Sequence, residues 1–84
     1  MQTAAQPALS TFEPMISQVA ELLADDPQLL AFFNHLTFGY QREWARYIFG
    51  AKAEATKQRH IADMRQILAA GYKSKRAYGS RPKP

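Results

Sequence analysis

"AKAEATKQRHIADMRQILAAG", residues 51–71, reads as one whole helix. Ile61, Met64, Ile67 and Leu68 recur at the three- and four-residue spacing that brings side chains onto one face of an α-helix. Glu54 lies near its start, where a carboxylate meets the positive end of the helix dipole. Gly71 stands just past the last apolar position, where a residue in the left-handed conformation ends a helix without steric cost. The other faces carry Lys52, Lys57, Arg59 and His60. Such a surface is either a solvated exterior or a place where an anion is held.

Upstream of this helix, Tyr40, Trp44, Tyr47, Ile48 and Ala51 fall at i, i+4, i+7, i+8 and i+11, one continuous apolar face of a third helix that Thr37 can cap. Gly50 weakens its last turn. Asp26-Pro27 opens a second helix: the Asp side chain can accept from free N–H groups, and Pro suits the first helical position. Leu29, Leu30, Phe33 and Leu36 make its stripe, which ends near Thr37. Pro14 opens a first helix with Ile16, Val19, Leu22 and Leu23 on its face, stopping near Asp25. Residues 1–12 are small, polar and proline-bearing, and read as a flexible lead-in. Residues 72–84, YKSKRAYGSRPKP, have no aliphatic side chain larger than alanine and read as a disordered basic tail. No segment reads as a strand. The expected fold is therefore all-α, a single bundle of about four helices over residues 13–71 between a flexible amino end and a basic tail.

A chain of 84 residues allows one domain with a modest core, since a domain this small buries only ~60% of the surface its unfolded chain exposes. A hydrophobic content of 46% is enough for that core and excludes wholesale disorder. There is no cysteine, which excludes a disulfide framework, a thiolate nucleophile and a cysteine-type zinc site. The first residues lack the basic and apolar regions of a secretory signal, and no apolar run approaches membrane-spanning length. The expected location is cytoplasmic, without membrane insertion. Charge is unevenly spread. Residues 1–40 hold Glu13, Glu21, Asp25 and Asp26 and no Lys or Arg, giving −4; residues 41–84 hold every Lys and Arg and sum to +8. Either the halves neutralise each other or the basic half faces a polyanion.

The side chains offer little for catalysis. His35 and His60 lie in different helices, with no spacing that suggests a shared metal, and the adjacent Asp25 and Asp26 read as a helix stop and a cap. No Gly-rich loop follows a strand to cradle phosphate. A non-enzymatic protein is expected, with no cofactor and no metal. Tyr40, Trp44 and Tyr47 are spaced for core packing. Phe49 lies ~140° around its helix from Trp44 and so faces either another helix or a partner, as a contact of the same kind as Phe38. The cations Lys52, Lys57, Arg59 and His60 surround the start of the fourth helix, a region suited to an anion, and Lys73, Lys75 and Arg76 add to it from the tail. Local pairing competes with that reading, because Glu54 can meet Lys57 or Gln58 and Asp63 can meet Arg59.

Residues 36–71 resemble the carboxy-terminal helical segment of the bacteriocin-protection, YdeI/OmpD-associated family. The resemblance rests on Arg42-Glu43-Trp44, Tyr47-Ile48, Ala51-Lys52, Thr56-Lys57 with Arg59 and His60, Ile61, and Leu68 before Gly71; Asp26-Pro27 and Phe33 of the preceding helices also look similar. It implies a role in bacterial stress or bacteriocin tolerance and association with an outer-membrane porin, and it carries over no catalytic residue. Many relatives have an additional β-rich domain on the amino-terminal side. Phe38 stands where relatives often have proline, and Phe49 where they often have an acidic residue, a change that favours a partner or self-association. The function expected is a small interaction module with a protein partner, including a second copy of itself. The alternatives are weak, sequence-independent nucleic-acid or polyanion binding through the basic half, and a role as an accessory subunit of an enzyme.

Overall fold

Asp26 shows how local chemistry lays down the architecture. In the computed structural model, which describes residues 13–80, its carboxylate Oδ1 accepts from the backbone N–H groups of Gln28 and Leu29, each at 3.2 Å. With Pro27 at the first helical position, this starts α2 (Pro27–His35). Before it, a 3-10 turn at Glu13–Met15 leads into α1 (Ile16–Leu22). After it come α3 (Phe38–Phe49), α4 (Glu54–Ala69) and a short α5 (Lys75–Gly79). The described residues are helical with tight connections, and they contain no strand. The all-α expectation holds, with one helix more than the four read from the sequence. Residues 1–12, the proposed lead-in, and 81–84 lie outside the described residues.

α3 is the central element. It packs against the 3-10 turn, α1 and α4, while α2 lies on α1 and α4. The stripes read from the sequence close on one another: Val19 and Leu23, Leu29, Phe33 and Leu36, Trp44 and Ile48, and Met64, Ile67 and Leu68 are all buried, together with Ala45, which lay outside those stripes. Trp44 is only 3% exposed. Ile61, Tyr40, Tyr47 and Phe49 pack around this core while remaining half-buried. No described helix is long and apolar enough to cross a membrane.

Polar groups from distant positions finish the helix ends. Arg65 of α4 donates from Nη1 to the Leu22 carbonyl at 2.9 Å, an acceptor left open where α1 ends, and grips both oxygens of Asp25 at 3.0 Å. That guanidinium holds the Asp25 carboxyl below its usual range. Gln41 Nε2 donates to the Phe33 carbonyl at 2.9 Å and ties α3 to the end of α2. Thr37 stands at the start of α3 but makes no capping hydrogen bond.

α4 ends as the sequence indicates. Gly71 has φ +89°, the Gly71 N–H donates to the Leu68 carbonyl and the Tyr72 N–H to the Ile67 carbonyl, the paired bonds of a Schellman turn. Residues 72–80 are folded onto the bundle, which corrects the disordered tail expected there. The turn sends the chain back across α3, where Trp44 Nε1 donates to the Lys73 carbonyl at 3.0 Å. Ser74 is buried, and its Oγ accepts from the Ala77 N–H at 3.0 Å, capping α5. Tyr78 closes edge-on against Tyr72, ring centroids 5.5 Å apart, and its hydroxyl accepts from Gln66. Aromatic edges and side-chain caps do here what an aliphatic stripe does elsewhere, so a composition without large aliphatics is no sign of disorder.

Candidate functional site

The returning segment creates a concave surface against α3. Two adjoining cavities lie between α3 and α5, of about 400 and about 250 Å³. Glu43, Ser74 and Arg76 line both, so they form one groove. Thr37, Gly39 and Tyr40 continue it at one end; Trp44, Arg46, Tyr47 and Lys75 continue it at the other. Position follows from helical spacing. Tyr40, Glu43 and Tyr47 recur at three and four residues and share one edge of α3. Ser74 presents Lys75 and Arg76 opposite them because its cap fixes the start of α5.

Charge in the groove is mixed. The Arg76 guanidinium lies 3.8 Å from the Glu43 carboxylate, with both side chains open to solvent, so the pair is weak and easily exchanged. Lys75 Nζ lies 5.7 Å from the centre of the Tyr47 ring. The Tyr47 hydroxyl donates to Asp63 Oδ2 at 2.8 Å. Burial, reinforced by the bond to Asp63, pushes its pKa up to about 12. Tyr47 is thus a neutral hydrogen-bond donor at physiological pH.

Of the sequence-expected cations, Lys75 and Arg76 line this groove and Lys73 is exposed outside its lining, while Lys52, Lys57, Arg59 and His60 stay at the α3–α4 junction. Tyr47 joins the two groups. His60 stacks on its ring, 3.8 Å between centroids at 6°, and Nδ1 of His60 donates to the Tyr47 carbonyl at 2.7 Å. The carbonyl can only accept, which puts a proton on Nδ1. Lys57 is engaged locally, 3.8 Å from Glu54 and 5.4 Å from the centre of the Phe49 ring. Gln58 donates to Glu54 at 2.7 Å, as its spacing indicated, whereas Asp63, expected to meet Arg59, serves Tyr47. Lys52 and Arg59 are exposed. Phe49 lies half-buried against the core, under Lys57. Phe38 is 52% exposed, with the Arg42 guanidinium 5.1 Å from its ring centre.

His35 Nδ1 bonds the Ala31 carbonyl at 2.8 Å on its own helix. Among the described residues no group of three or more His, Asp or Glu side chains could hold a metal ion.

Residues 16–71 match the family described as bacteriocin-protection, YdeI or OmpD-associated, two thirds of the chain in a single span. The chain belongs to the YdeI/OmpD-associated family. No curated protein and no solved structure gives a match. Set on the fold, the family span runs from the start of α1 to the Gly71 turn. It takes in the whole core and the Asp25–Arg65 clamp. It also includes the α3 wall of the groove but not α5, the opposite wall. The groove of this YdeI/OmpD-associated protein is therefore built from family-matched and additional residues together.

Sequence reasoning missed Thr37, Tyr40, Glu43, Arg46 and Ser74 as lining residues and read Tyr47 as core alone. One local signal was available: Ser74 followed by Lys-Arg-Ala-Tyr-Gly has the form of a capped short helix.

Proposed function

We propose that this protein is a small, non-enzymatic interaction module of the YdeI/OmpD-associated type, working in the cytoplasm and holding a protein partner. The observation that carries this reading is the open groove between α3 and α5, where Glu43, Arg46, Lys75 and Arg76 place both signs of charge around a solvent-accessible hollow. Mixed charge beside partly apolar walls is the composition of a protein-binding surface. The family description, which names protection and association rather than a reaction, favours the same reading.

Polyanion binding has its own support in the +8 charge of residues 41–84 and in the exposure of Lys52 and Arg59. Capture from a native cytoplasmic extract on the immobilised chain, at low and at high salt, separates the two. A single protein retained at both salts is expected, and a porin in a parallel membrane extract would connect the module to the association in its family's description. Recovery of nucleic acid alone, lost as salt rises, would replace the module with a polyanion binder.

A further inference from the structure

We infer that the groove between α3 and α5 is a docking site for an acidic peptide segment of the partner. This rests on the interaction-module reading and names the chemistry of what is held. Arg46, Lys75 and Arg76 face the groove against the one carboxylate of Glu43. Arg46 and Arg76 are exposed, and the Glu43–Arg76 pair, at 3.8 Å with the Arg76 side chain 78% exposed, is loose enough for an incoming carboxylate to take over the guanidinium. Ser74 lines both halves of the groove and is 7% exposed. Its Oγ accepts from Ala77, so its hydroxyl hydrogen is not used in that bond and remains for a second one.

The same geometry disfavours nucleic acid. A phosphate backbone carries a charge at every nucleotide and meets Glu43 in the middle of the groove. A peptide spaces its carboxylates along the chain, and its N–H groups can donate to Glu43 once Arg76 is released. Base stacking needs open aromatic faces. Trp44 is 3% exposed, and a face of Tyr47 is covered by His60.

Trp44, the chain's one tryptophan, lines the groove and reports on it by fluorescence. The probes are a ten-residue peptide rich in Asp and Glu, its Asn/Gln counterpart and a ten-nucleotide single-stranded DNA, each titrated into the full chain at ~50 mM salt. The acidic peptide is expected to bind and shift Trp44 emission, and its Asn/Gln counterpart to bind at least roughly tenfold more weakly. Lys75→Gln with Arg76→Gln should weaken the acidic peptide by roughly tenfold. Gln28→Glu with Ala62→Glu lowers net charge equally at exposed positions away from the groove and should have a much smaller effect. Melting temperatures of both variants show that each is folded.

The inference is overturned by absence of peptide binding, by equal weakening in the two charge variants, or by DNA binding as tightly as the acidic peptide. A partner captured from extract as well by the Lys75/Arg76 variant as by the parent would leave the module reading standing and remove the groove from it.

Discussion

Tyr47 is the residue where fold and groove meet. Its ring supports His60, its hydroxyl holds Asp63, and Lys75 lies by its ring. Tyr47→Phe keeps the ring and deletes the bond to Asp63, which should cost ~1 kcal/mol at neutral pH. The pH dependence has a definite sign. The folded-state pKa is raised from 10.0 to about 12, so the neutral hydroxyl contributes stability that is fully present below pH 10.0 and is lost as pH rises through that window. Phenylalanine does not ionise, so the gap in melting temperature between parent and Tyr47→Phe should narrow from pH 10.0 upward. A gap that stays constant to about pH 12 would show that burial and Asp63 do not hold that proton.

At the scale of an element, α2 depends on its start. Asp26 satisfies two N–H groups there, and Asp26→Ala should lower stability by ~1 kcal/mol, seen as a lower urea midpoint with an unchanged slope. Thr37 occupies the equivalent position of α3 without a capping bond, so Thr37→Ala should stay within ~0.5 kcal/mol. Equal losses at the two positions would contradict the difference in hydrogen bonding. α4 is secured at both ends by different means: Glu54 stands in its first turn, and the Gly71 Schellman turn closes its last.

For the whole molecule, residues 72–80 act as part of the fold. Deleting residues 72–84 removes the acceptor of the Trp44 indole, the buried Ser74, and the Tyr72 and Tyr78 rings that pack on the core. Stability should fall by on the order of 1–3 kcal/mol, with Trp44 emission shifting to the red as water reaches the ring. A tail serving only solubility would leave both melting temperature and emission where they were. The charge asymmetry is resolved only in part. Arg65 and Asp25 join the basic and acidic halves, whereas Lys57–Glu54 and Arg76–Glu43 are pairings within the basic half.

The features the sequence determined alone share a short range. The α2 cap at Asp26, the glycine stop at Gly71, the helical spans and the burial of Phe33, Trp44, Ile48 and Leu68 all follow from patterns within a few turns, because hydrogen bonds to i−4 and an apolar stripe are local properties of the chain. Lys75 and Arg76 of the groove were legible as charge, since composition shows cations wherever they lie. Glu43, Ser74 and the partly open face of Tyr47 were not. Their roles depend on where the chain goes after Gly71, and the tie that decides it spans 29 residues, from Trp44 to the Lys73 carbonyl. The grip of Arg65 on Asp25 spans 40. Contacts at such separations are selected by how the helices pack against one another, a property of the assembled core that no single stretch of sequence contains.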